Sequence, residues 1–299
     1  MRRRPAGAAV PEGAPTHMWQ TELRRPNGTV PAQGTVPYAT FVVGLFNASA
    51  AAPAFTAGKT VPPFTLDGGS DFIYPELGYR LRGGSERVMV AGGWMRSKSK
   101  LAAMGTGASG ASIVRELRWD DTLHALLSTP VPEVASLHGE VLYRAPAGGV
   151  PLPSGTRHSL CPGCTSMAAD VELSFTLGSA LAHSAVELRV GGLGVMLALA
   201  VGAPAPGSGM RTAKLRRVPD DGSVATEFAL RPGESDGGFP MRLLLDTVLV
   251  ECFAAWGRGV ASVVGPPVAV SHAALWVSAN APGVRLANAT VWQMQPITS

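Results

Sequence analysis

With 299 residues, 46% of them hydrophobic and only 15% charged, the chain can bury a large core, which excludes a polyelectrolyte tail or a disordered segment. The formal net charge of +4 permits weak attraction to anions. However, the basic groups Arg2 to Arg4 and Arg211, Lys214, Arg216 and Arg217 are not interleaved with aromatics, so they read as solvated surface and no nucleic-acid partner is expected.

In chain order, residues 38–46 form an extended, largely apolar run that stops at Asn47, before Pro53 and a Gly/Pro-rich loop. Residues 65–74 carry Asp67-Gly68-Gly69-Ser70-Asp71-Phe72, and residues 87–94 supply a strand ending at Gly92-Gly93. Residues 96–111, rich in Ser, Gly and Lys, read as an exposed loop. An extended pattern resumes over 113–119, and 123–127 and 131–137 are short strands or turns. Further on, Val171, Leu173, Phe175 and Leu177 alternate with polar or small residues, the signature of a half-buried strand. Strand candidates continue over 185–190, 194–201, 214–218, 224–230, 242–253, 259–264, 273–277 and 284–294. No long amphipathic helix interrupts them, so the expected class is all-β, with a two-sheet sandwich at the carboxy-terminal end. Two domains are expected, 1–140 and 166–299, joined by a linker over 141–165.

The run from Leu243 to Phe253 sets Asp246 and Glu251 among apolar residues. A buried charge must be paired or hydrogen-bonded, so the expected arrangement is a strand edge or turn at Asp246-Thr247, with Glu251 accepting bonds from a neighbour. In an unbroken strand their odd separation would place them on opposite faces, which argues against an acid/base pair.

Three cysteines do not form a fully paired set. Cys161-Pro162-Gly163-Cys164 follows His158, but a lone CxxC lacks the second pair of a structural zinc site. A loop disulfide or two free thiols is therefore expected, and no metal. Asn27-Gly28-Thr29, Asn47-Ala48-Ser49 and Asn288-Ala289-Thr290 are candidate glycan acceptors, which would suit a secreted or vacuolar glycoprotein. The first residues show no continuous apolar signal core. Residues 190–210 are interrupted by Pro204, Pro206 and several glycines, so no membrane span is expected there.

Several of these pieces resemble glycoside hydrolase family 32, the invertases, inulinases, levanases and fructan-processing enzymes. Leu243 to Phe253 resembles the family's Leu-x-x-Asp-x-Ser-x-x-Glu-x-Phe pattern, with Asp246, Glu251 and Phe253 retained and Thr247 near the hydroxyl position. In the right order, Leu66 to Tyr74 resembles its Asp-Tyr-Gly-x-Asp-Phe-Tyr segment, with Ile73 at the usual aromatic position. Val88 to Trp94 resembles the strand ending in Trp-Gly-Trp, and Ile113 to Leu117 its Leu-Pro-Arg-Glu-Leu element. Pro130 to Leu137 is similar to the passage from propeller to linker, and His17 to Leu23 looks like a strand beyond the acid/base motif.

This resemblance implies the late blades of a five-bladed β-propeller followed by a β-sandwich. It also implies a β-fructofuranosidase-type hydrolase acting on sucrose or fructans when complete, without metal or organic cofactor. Asp71, Tyr74 and Trp94 are the candidates for a substrate rim. Arg115-Glu116 is expected to be a structural ion pair or turn support. The family's Asn-Asp-Pro-Asn-Gly, Arg-Asp-Pro and Glu-Cys-Pro motifs do not occur in the sequence, so no catalytic residue is nominated. The expectation is a truncated, inactive form of the hydrolase. A noncatalytic carbohydrate-binding or structural protein is the alternative, and a fructosyltransferase a weaker one.

Overall fold

The computed structural model describes residues 16–22, 38–47, 54–57, 64–65, 67, 72–75, 88–90, 93–95, 110–120, 122–123, 125–162, 168–178, 185–218, 226–234, 238–247, 249–265 and 275–296. The regular structure among them is almost entirely antiparallel strand, so the protein is all-β.

The first ten strands make three small sheets. In one, β2 (Tyr38–Asn47) lies between β1 (Thr16–Glu22) on one edge and β3 (Ala54–Ala57) and β4 (Phe64–Thr65) on the other. A second joins β5 (Phe72–Pro75), β7 (Gly93–Met95) and β8 (Gly110–Ala111), so the stretch expected as loop over 96–111 ends in a strand. The third orders β10 (Ala125–Pro130), β9 (Arg115–Asp120) and β6 (Val88–Val90). A 3-10 helix, Pro132–Leu137, follows where a strand or turn was expected. Its proline sits in the first turn, where a fixed φ favours helix and the missing N–H costs nothing.

Thirteen further strands build two layered sheets: β11 (His138–Arg144), β12 (Val150–Pro151), β13 (His158–Ser159), β14 (Ala168–Thr176), β15 (Val186–Gly192), β16 (Val195–Val201), β17 (Arg211–Val218), β18 (Thr226–Leu230), β19 (Phe239–Asp246), β20 (Leu249–Ala254), β21 (Gly259–Val264), β22 (Trp276–Ala279) and β23 (Arg285–Met294). One sheet runs β11-β23-β14-β19-β20-β21, with β12 also paired to β23; the other runs β13-β22-β15-β16-β17-β18. Three strands from the stretch expected as linker thus pair with β22 and β23.

Alternation decides which side chains meet between the layers. Val171, Leu173 and Phe175 of β14 share one apolar core with Leu243 and Leu245 of β19, and with Leu188, Leu197 and Leu215 of the facing sheet. Each such buried side chain contributes about 1.5–3 kcal/mol. Cys252 lies in the same core as a free cysteine, and burial pushes its thiol pKa up, so it stays protonated and inert.

Residues 242–253, a strand candidate with a strand edge or turn expected at Asp246-Thr247, are a hairpin that reverses at that point. β19 ends at Asp246, Thr247 takes a φ of 55°, and β20 begins at Leu249. The register sets Asp246 opposite Leu249 and Leu244 opposite Glu251, so both carboxylates belong to one face. The odd-separation argument holds only for an unbroken strand. A two-residue reversal keeps opposed residues on the same side.

Candidate functional site

The outer face of the longer sheet carries the second half of the hairpin's pattern: Leu244, Asp246, Glu251 and Phe253. Leu244, Phe253 and Val260 are buried there with Val131 and Val134 of the 3-10 helix region, and Ile113 and Val114 pack against them. The layered pair therefore meets the sheet of β9 and β10 through an apolar contact. A buried polar knot sits inside it.

Glu251 is the centre of that knot. Its Oε1 accepts from the Ile113 backbone N–H at 2.6 Å, and its Oε2 accepts from Arg115 Nη2 at 2.7 Å. Arg115 is wholly buried, and its Nη1 lies 2.9 Å from Asp67 Oδ2. Ser262 closes the ring: its N–H and hydroxyl donate to the two Asp67 oxygens at 2.8 and 2.7 Å, while its Oγ accepts from Arg115 at 2.6 Å. Burial pushes the Glu251 carboxyl upward, against the pull of Arg115 and the Ile113 N–H. Burial works equally against the Arg115 charge, but Asp67 and Glu251 outweigh it and hold that guanidinium ionised.

Arg115 and Glu116 do not pair with each other as expected. Successive strand residues point to opposite faces, so Arg115 turns into the knot while Glu116 takes Arg118 Nε at 2.7 Å. Asp67 was not singled out in the sequence, because a carboxylate before two glycines reads first as a turn residue. Its partner Ser262 lies 195 positions away.

A second junction starts at Asp120, at the end of β9. Its Oδ1 accepts the backbone N–H groups of Thr122 and Leu123 at 3.0 and 3.1 Å, forming a side-chain-capped turn, and the carboxylate also takes Arg231 Nη2 at 2.8 and 2.6 Å. Partial burial works against ionisation, but these donors outweigh it and hold the carboxyl below its ordinary value. A carboxyl lowered in the folded state adds stability above its unfolded value, about 3.9, and that stability is lost as pH falls through the folded value. The expected result is that wild type exceeds Asp120→Asn in unfolding free energy at neutral pH, with the gap closing below about pH 4. Urea denaturation at stepped pH measures it, and a gap independent of pH would refute it.

Among the rim candidates, Asp71 lies outside the described residues. Tyr74 falls in β5 at an irregularity between Ile73 and Pro75, and Trp94 falls in the neighbouring β7, opposite Ile73. Asn288 is exposed on β23, Asn47 ends β2, and Asn27 lies outside the described residues. Cys161 is disulfide-bonded, while Cys164 lies outside the described residues. His158 Nε2 is 3.0 Å from the Tyr143 hydroxyl. Among the described residues no group of three His, Cys, Asp or Glu side chains could hold a metal ion, and no helix is long and apolar enough to cross a membrane.

The sequence matches no protein-family model. No curated protein matches it either. Solved structures do. A variant of fructan 1-exohydrolase IIa from Cichorium intybus in complex with 1-kestose is similar over 89% of this chain and 56% of its own, with a TM-score of 0.68 and 16% identity. Exo-inulinase from Aspergillus awamori is similar over 87% of this chain and 51% of its own, with a TM-score of 0.59 and 18% identity. The GH32 β-fructofuranosidase of Bombyx mori is similar over 88% of this chain and 48% of its own, with a TM-score of 0.55 and 16% identity. The chain thus spans about half the length of these structures, and over that span it shares the general fold of glycoside hydrolase family 32 enzymes.

Proposed function

We propose that the chain is part of a β-fructofuranosidase-type glycoside hydrolase that acts on sucrose or fructans. The observation that carries this reading is the fold likeness over 89% of the chain to a fructan exohydrolase in complex with 1-kestose. The ordered motifs from Asp67 to Phe253 support it independently of backbone shape.

On this reading, residues 1–140 are the late blades of a five-bladed propeller and 166–299 a carboxy-terminal sandwich. Residues 141–165 connect them while lending edge strands to the sandwich. Asp246, Glu251 and Phe253 serve structure: Glu251 and Phe253 lock the two parts together, and Asp246 closes a hairpin. Asp71, Tyr74 and Trp94 are assigned to the substrate rim. A retaining hydrolase needs a nucleophilic carboxylate and a second carboxyl about 5–5.5 Å away to protonate the leaving oxygen. Neither is assigned to a residue of this sequence. The three sequons support a secreted or vacuolar glycoprotein.

The test is to determine the complete native transcript and to assay its purified product for fructose release from sucrose and from 1-kestose. An upstream segment carrying the nucleophile, the transition-state support and the acid/base, with fructose released, is the expected result. A folded, full-length product that lacks those motifs and releases no fructose would overturn the hydrolase reading.

A further inference from the structure

Two carboxyls sit where β9 meets the layered sheets, and their settings are opposite. Asp120, partly buried at the end of β9, takes Arg231 from across the junction and two backbone N–H groups from its own turn. Glu251 lies under the contact with 4% of its surface exposed, so water does little to support its charge.

The groups that face Glu251 come from each element packed against it. From β9 comes the Arg115 guanidinium, since Glu116 turns to the opposite face and pairs with Arg118. Asp67 lies 2.9 Å from the same guanidinium, which therefore divides its charge between two buried carboxyls. From β21 comes the Ser262 hydroxyl, 3.4 Å from Glu251 Oε2. Leu244 stands opposite Glu251 on β19, and together with Phe253 it packs against Val131 and Val134. Beyond Leu244, on β14, Asp170 is bound by Arg242 and His138. Around Asp120 the further charges are Glu234 and Arg258, which bind each other at 2.6 Å.

This setting favours a neutral Glu251. A carboxylate taken out of water is costly, and a share in one guanidinium does not repay that cost in full. A protonated carboxyl suits the same bonds: its carbonyl oxygen accepts the Ile113 N–H at 2.6 Å, and its hydroxyl faces Ser262 Oγ. Burial accordingly raises the Glu251 carboxyl, against Arg115 and the Ile113 N–H. At Asp120, partial burial is outweighed by the Leu123 and Thr122 N–H groups and by Arg231, and the carboxyl is lowered.

A carboxyl raised on folding gives its full contribution to stability below its unfolded value, about 4.3 for glutamate, and loses it as pH rises through the folded value. A lowered one gives its full contribution above about 3.9, the unfolded value for aspartate, and loses it as pH falls through the folded value. Both contributions are complete only near about pH 4. We propose that this junction is a proton-set lock, in which Glu251 takes up a proton and Asp120 releases one as β9 docks, so that the two parts of the chain hold each other most firmly in acidic solution. The lock needs only the contact between β9 and the layered sheets, and it stands or falls independently of the hydrolase reading.

The test is urea unfolding of the 299-residue protein at stepped pH between about 3 and 7, as wild type, Glu251→Gln and Asp120→Asn. Relative to Glu251→Gln, the wild-type unfolding equilibrium constant is expected to rise by up to about tenfold per pH unit above about 4.3, and to level off once Glu251 ionises in the folded state. Relative to Asp120→Asn, it is expected to rise as pH falls below about 3.9. A wild-type curve parallel to that of either variant overturns the proposal. The Ile113 amide proton, held on Glu251 Oε1, reads the same titration in the folded wild type and decides the matter where Glu251→Gln does not fold. Its NMR shift is expected to titrate with a midpoint above about 4.3, and a midpoint at or below that value overturns the lock.

Discussion

Arg115→Met is expected to lower the unfolding free energy by about 3–5 kcal/mol, the largest single effect in the molecule. The loss does not come from the attraction itself. Burying three ionisable groups costs several kcal/mol each before their mutual attraction repays it, so the intact knot is worth little net. Removing the cation leaves Asp67 and Glu251 buried around an apolar side chain, a cost that falls on the folded state. Neutralising them in the same chain should therefore restore stability. Arg115→Met combined with Asp67→Asn and Glu251→Gln is expected to recover at least half of the loss, since the amide oxygens still accept from Ser262 and Ile113. Urea denaturation of the single and triple variants measures both quantities. A single-variant loss under about 1 kcal/mol, the range of an exposed pair, would show that water reaches the knot and that it does not lock the two halves.

That result bears on why the motif around Glu251 exists. A glutamate in a strand that could have been wholly apolar adds little to the stability of the layered sheets on their own. Its two short bonds, from Ile113 and Arg115, come from the other part of the chain, and only a longer one, from Ser262 at 3.4 Å, comes from its own sheet. The carboxylate acts as a registration pin: its short bonds form only when β9 docks at one position on the outer face, whereas an apolar contact alone could slide.

The local half of this architecture is legible in the sequence, because period-2 alternation in stretches such as Val171 to Leu177 fixes both strand and core face. The turn at Asp246-Thr247 was legible as well, because a charge interrupts the apolar run there, but the antiparallel pairing of the two halves into a hairpin was not. Thr247 takes the positive φ there, and the sequence between the strands carries no Asn-Gly or Asp-Gly signal that would announce a hairpin. The demand that Glu251 find a neighbour was also legible, since burial of a charge requires one. The identity of the neighbour was not, because Arg115 and Asp67 arrive from 136 and 184 positions away through tertiary folding.

Gly257→Ala is the second large effect, expected to cost about 2–4 kcal/mol and to fall on the same junction. Two terms combine. Gly257 has a φ of 85°, where an added Cβ is strained, and that Cβ would stand 2.3 Å from the Ser128 carbonyl oxygen. The obstructing atom is backbone of β10, so no rotamer change relieves the contact, and either the loop or β10 must retreat. Retreat breaks the Ser128 N–H to Gly257 O bond that ties the loop down. Ala255 and Trp256 provide the internal contrast: they hold left-handed backbone with a Cβ, so strain alone is tolerated in this loop and the steric term decides. Thermal unfolding of Gly257→Ala beside Ala255→Gly separates the two. The first variant should lose several degrees or more, while the second, at a position that is already left-handed, should change little or gain, because glycine relieves the strain but forfeits one buried methyl. A Gly257→Ala protein with wild-type stability would mean that β10 does not press on the loop.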